Sequence, residues 1–237
     1  GGWYVTGTHG EHRHMGNVIA RETDFDAELD RSRGANVTNL NELLDVSPYL
    51  TPHSDVVALM VIEHQTEMHN LVTRANFDTR KALHHQQVMD RILKRPAGTL
   101  SELTQRIIKS SGTRLLNYML FVDEAPINHP IAGTSGFTET FEQQGRRDGK
   151  GRALRELDLK ERMFKYPLSY LIYSEAFDAL PDPMKDFLYR RLHDVLSTKD
   201  TSPDFAHLSR RDCRTIFEIL LETKPGLPDY WYDERRK

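Results

Sequence analysis

The sequence predicts a mainly α-helical protein, a multi-helix orthogonal bundle with a small N-terminal β-hairpin. Three observations carry this. Apolar residues recur at helical spacing through most of the chain, helix-starting signatures precede several of those stretches, and prolines or glycines close them. The 237 residues are 38% hydrophobic and 28% charged, a globular composition with enough apolar material for a sizeable core. The whole of 1–237 reads as one helical domain, with 1–23 as a hairpin-like extension and 145–151 as a flexible Gly- and Arg-rich loop.

The hairpin expectation rests on two short β-prone runs, Trp3 to Thr6 and Asn17 to Ala20, around a Gly- and His-rich loop from Gly7 to Gly16. Thr38 or Asn39 can cap a short helix through Asp45. After Pro48 and Pro52, Ser54 is placed to cap the strongest helix of the chain. Its stripe runs Val57, Met60, Val61, His64, Met68, Leu71, Val72 and Ala75. A bend is expected around Asn76 to Thr79, then a second run with Ala82, His85, Met89 and Ile92 inward. Thr99-Leu100-Ser101-Glu102 reads as a capping box for a helix through about Phe121, with Leu103, Ile107, Leu116 and Met119 inward. A short helix follows near Phe137 to Gln144. Further helices are expected over Leu168 to Leu180, around Met184 to Val195, and after the capping box Ser209-Arg210-Arg211-Asp212.

Formal net charge is −3, so no global basic field points to nucleic acid or an anionic membrane. The longest apolar run, Val56 to Ile62, is far shorter than the roughly 20 residues a membrane-crossing helix needs, and a soluble protein is expected. The opening Gly1-Gly2-Trp3-Tyr4 lacks a Met and fits the interior of a longer precursor. A single cysteine, Cys213, excludes an internal disulfide and a Cys-based zinc cluster; it reads as a packed thiol. No nucleophile elbow, phosphate-binding loop, dinucleotide fingerprint or Cys-x-x-Cys-His haem attachment occurs, and no catalytic residue or reaction can be assigned.

The 11 histidines are unevenly placed, and they supply the candidate ligands. In Glu63-His64-Gln65-Thr66-Glu67-Met68-His69 the two histidines are five apart, diverging by about 140° on a helix. They cannot share a zinc ion as the His-x-x-x-His pair of a zincin does. His64 nevertheless lies inside the apolar stripe between Met60 and Met68, with Glu67 beside it. Three readings fit: a core histidine bonded to a carboxylate; a metal or haem ligand, with Met60 and Met68 able to serve as thioether ligands; or an acid–base group. In His9-Gly10-Glu11-His12-Arg13-His14, extended backbone would point His12 and His14 to one side, which suits chelation, and a solvated turn is the other reading. The metal candidates are therefore His9, His12, His14, His64 and Glu67. Asp123-Glu124, near His129, is expected to pair with an arginine. Asn36-Val37-Thr38 matches the glycosylation sequon. The tail Tyr230-Trp231-Tyr232 reads as exposed and suited to an interface, whereas Tyr166 to Phe177 reads as core.

Three stretches carry a family likeness: Thr8-His9-Gly10; Thr51-Pro52-His53-Ser54-Asp55 running into Met60 to His69; and Phe164-Lys165-Tyr166 through Tyr173 into Phe177-Asp178-Ala179-Leu180-Pro181. Together they resemble an uncharacterised group of exported bacterial proteins associated with c-type cytochromes. The resemblance implies a periplasmic or secreted location and a redox context, but brings no catalytic residues. Two functions follow as expectations. One is a haem- or metal-associated redox or accessory domain of the envelope. The other is a non-catalytic helical domain that docks another protein, such as a cytochrome.

Overall fold

The computed structural model describes residues 3–14, 16–18, 32–96, 98–200 and 202–233. It is mainly helical, with six α-helices among the described residues: α1 (Val56–Ile92), α2 (Glu102–Met119), α3 (Phe137–Gln143), α4 (Glu175–Asp178), α5 (Asp182–Leu196) and α6 (Arg210–Thr223). Four short 3-10 turns accompany them. No helix among the described residues is long and apolar enough to cross a membrane.

The chain divides into two compact units. The first comprises Gly1–His64, Glu124–Gly145 and Arg155–Lys165. Among its described residues, no strand ladder supports the expected N-terminal hairpin. Asn17 and Val18 begin the proposed second run, and the rest of that run lies outside the described residues. Asn17 adopts a left-handed φ of 62° and lies beside residues 3–5: its N–H donates to Trp3 O, and its side-chain amide binds the backbone of Val5 and Gly34. Thr6 makes a parallel bridge to Asp55, and Thr8 an antiparallel bridge to Ala132. These isolated bridges replace a strand ladder. A tight turn at Asp158–Arg162 folds Leu157 back on Phe164, and Phe141 of α3 packs against the Phe164 ring.

The start of α1 also departs from expectation. The capping side chain is Asp55, not Ser54: its Oδ1 accepts from the backbone N–H groups of Val57 and Ala58. Its Oδ2 accepts from the backbone N–H of Thr134 and Ser135 and from the Ser135 hydroxyl. Gly133 makes that approach possible, because a Cβ there would sit 2.3 Å from Asp55 Oδ2.

The second unit comprises Gln65–Asp123, Arg146–Leu154 and Tyr166–Lys237. In it α2 packs along α5, and α5 against α6. Gly112 of α2 allows the close α2–α5 approach, since a Cβ would lie 2.5 Å from the Phe187 ring. Ser101, rather than Thr99, caps α2 by accepting from Thr104 N, and Ser209 with Asp212 forms the expected capping box on α6. Residues 168–180 are not one helix. A 3-10 turn at Tyr170–Tyr173 and the short α4 meet at Ser174, whose side chain caps α4.

In the tail expected to be exposed, Tyr232 is exposed and Tyr230 half-buried, but Trp231 is fully buried. Its ring stacks on Phe217 at 5.2 Å and meets His193 edge-on at 5.3 Å. The buried Tyr166, Tyr170 and Phe177 match the core reading of their segment. Cys213 is buried, and burial raises its thiol pKa, as a packed thiol requires. In the loop after Gly145, Asp148 is buried and accepts from the backbone of Lys150 and Arg152 and from the Arg152 guanidinium. Arg152 also reaches Glu218 of α6 at 2.9 Å; the Lys150 ammonium above all, then Arg152 and Arg214, holds that carboxyl down to about 2 against the opposing effect of burial.

Candidate functional site

The histidines of residues 9–14 lie in a turn, not an extended run. His9 is 3% exposed, and it and Asn36 bind each other reciprocally. The His9 N–H donates to Asn36 Oδ1 at 2.7 Å, and the Asn36 N–H donates to His9 Nε2 at 3.1 Å. The Asn36 amide also donates to Gly10 O, so the sequon asparagine serves as a brace for this turn. His12 acts alike: its Nε2 accepts from the backbone N–H groups of Asn128 and His129. A backbone N–H can only donate, so each Nε2 must present its lone pair, and the neutral ring then carries its proton on Nδ1. In this arrangement His9 and His12 use the lone pair a metal ion would need.

Ring contacts sort the histidines into two pairs. His9 meets His14 edge-to-face at 4.9 Å, and His12 meets His129 at 5.8 Å. Burial lowers the pKa of both His9 and His14, with neighbouring cationic groups adding to the effect and backbone hydrogen bonds opposing it.

His64 lies elsewhere in the same unit. It is buried against the Phe164 ring at 5.5 Å, and burial pushes its pKa down to about 4. Met68 is fully buried one turn on, Met60 is half-buried, and Glu67 is exposed. Glu67 therefore faces solvent while His64 faces the core. Among the described residues no three of His, Cys, Asp and Glu gather where they could hold a metal ion. Glu124 accepts from the backbone N–H of Met163.

In the second unit, α1 and α2 form a hairpin with a groove along one face. The two helices are joined by polar rungs. At one end the Gln86 side chain donates to Thr99 O and accepts from Ser101 N. At the other, the Ser111 hydroxyl donates to Asp78 at 2.5 Å. A groove of about 440 Å³ lies along this face. Ala82, Leu103 and Ile107 give it an apolar surface, and Lys81, His85 and Ser110 add polar groups.

Beside the groove, large apolar side chains face solvent. Phe77 is 64% exposed, Ile92 66%, Leu103 55% and Val88 39%. From Phe77, Val88 lies about 20° and Ile92 about 60° round the helix, so the three share one face, with the exposed Lys81 and His84 between Phe77 and Val88. The expectation that His85 and Ile92 point inward fails, because both are exposed. The buried face of α1 continues instead through Val72, Ala75, Thr79 and Ala82. Leu103 is likewise outward, because α2 buries Thr104, Ile108, Gly112, Leu115 and Met119, a stripe one position removed from it.

Sequence reasoning missed this hairpin as a site, although a local charge count reveals it. Residues 74–114 hold nine Lys and Arg against three Asp and Glu. All nine basic residues are exposed. Fold and surface together define a mainly helical protein with a basic, apolar-studded helical hairpin. No family model matches the chain, and no curated protein or solved structure matches it.

Proposed function

We propose that this chain is a non-catalytic helical interaction domain, an accessory part of a redox assembly of the bacterial cell envelope. Its docking face is the α1–α2 hairpin. The observation that carries the reading is the exposure of Phe77, Val88 and Ile92 on one helix face beside a groove whose helices are tied at both ends. Large apolar side chains exposed on one helix face beside a concave groove mark interaction sites more often than catalytic ones. The envelope and redox context come from the resemblance to cytochrome-associated exported proteins, and a cytochrome is the partner that the resemblance suggests.

Docking is preferred to ligation because His9 and His12 already direct a ring nitrogen at backbone donors. The haem- or metal-associated alternative would fall to His64, flanked by Met60 and Met68, with Glu67 turned to solvent.

Two measurements separate these readings. A benzophenone cross-linker placed at Phe77 or Ile92 in cells should give a discrete protein adduct, and one at Tyr232 should not. Equal labelling from all three positions, or none, would refute the docking face. Plasma mass spectrometry on untagged protein prepared without added metal should find well under one equivalent of iron, zinc, copper or manganese. A stoichiometric metal lost in His64→Ala would restore the ligand reading.

A further inference from the structure

We infer that the α1–α2 hairpin receives an acidic, amphipathic segment of a partner protein, seated with apolar side chains in the groove and carboxylates on its basic banks. This inference rests on the docking reading above and names the chemistry of its occupant.

Charge is the first argument. The hairpin is net positive by six, whereas the rest of the chain carries 23 Lys and Arg against 32 Asp and Glu. The positive charge is therefore concentrated in one helical hairpin of a chain that is otherwise acidic. Lys81 and Arg91 fall within about 40° of Phe77 on α1, so cation and apolar stud share one surface. Across the groove, Arg106 is exposed on α2 about 60° round from Leu103. An acidic surface would be steered to this face and would avoid the remainder of the molecule.

Shape is the second argument. A cavity of about 440 Å³ falls within the size of pockets that receive side chains or small ligands. The rungs at Gln86–Ser101 and Asp78–Ser111 tie α1 to α2 at both ends, so little ordering is needed on binding. A flat lipid leaflet would leave such a concavity unfilled, and nucleic acid would leave Phe77, Val88 and Ile92 against phosphate. A helix with apolar residues at i, i+3, i+4 and i+7 and carboxylates elsewhere satisfies groove, studs and charge together.

The test uses the full chain and a fluorescent 20-residue probe helix with Leu on one face and Glu on the other, read by anisotropy. Controls replace Glu with Lys, or Leu with Ser. The acidic Leu probe should bind about tenfold more tightly than either control and weaken about tenfold between low and high salt. Lys81→Glu with Arg91→Glu should lose about tenfold, and Leu103→Ser several-fold, whereas Arg211→Glu, an exposed reversal on α6, should leave binding unchanged. Circular dichroism identifies any variant that has failed to fold, and the salt response of the unmodified chain stands apart from all variants. Equal binding of acidic and basic probes, or binding of neither, overturns the inference. So does preferential uptake onto phosphatidylglycerol vesicles. If the cross-links from Phe77 persist while the acidic probe fails, the docking face stands and its acidic occupant does not.

Discussion

Asp55 joins a helix start to a distant loop through a single carboxylate. One oxygen caps α1, and the other collects three donors from Thr134 and Ser135. Burial opposes its ionisation, but these hydrogen bonds outweigh that and hold its pKa below the usual carboxylate value. Asp55→Ala should therefore lower unfolding free energy by roughly 2–4 kcal/mol, read from urea melts at pH 7. The stability Asp55 contributes is complete above the unfolded carboxylate pKa and is lost as pH falls through the lower folded value. His64 responds to acid earlier. Its folded pKa is about 4 against an unfolded value of 6.5, so between those values the unfolded chain takes up a proton that the folded chain refuses. Stability should fall with acidification across that window, by about 3 kcal/mol in total. His64→Leu should flatten the slope in melts taken at several pH values between 7 and 4. A slope unchanged in His64→Leu would show that other groups carry the acid response.

At the scale of elements, α2 and α5 depend on Gly112. Gly112→Val should cost about 1–3 kcal/mol by pressing on Phe187 and Met184 in the fully packed α2–α5 contact. Trp231→Ala should cost about 3–5 kcal/mol, since it empties the centre of an aromatic cluster; calorimetry reads both. The helical stripes and stops were legible in the sequence because periodicity and capping are local. The stripe from Val57 through Ala75, the Ser209 capping box and the short α3 all follow from a few neighbouring residues. Where distant partners decide, the sequence is silent. Asp55 rather than Ser54 caps α1 because residues 134–135 also need its carboxylate. Thr6 and Thr8 bridge to Asp55 and Ala132, 49 and 124 residues on, partners that no local pattern reveals. The candidate ligands suffered most, because which ring nitrogen of His9 or His12 accepts a hydrogen bond depends on Asn36, Asn128 and His129.

For the molecule as a whole, the overall charge of −3 hides a division into a basic hairpin and an acidic remainder. That division would make association through the hairpin faster at low ionic strength than at high, while salt should leave the core contacts almost untouched. Stopped-flow association with the acidic probe at two salt concentrations separates these effects: a slower on-rate at high salt with an unchanged melting midpoint is expected. The placement of aromatic residues also gives the protein its own optical labels. Only two tryptophans are present, and each compact unit holds one. Trp3 is 55% exposed, so its emission should be red-shifted and open to iodide quenching; Trp231, sealed beneath Phe217 and His193, should emit further to the blue and resist it. In Trp3→Phe or Trp231→Phe protein a single indole remains, and denaturant titrations of the two variants would show by light alone whether the units melt together or in turn.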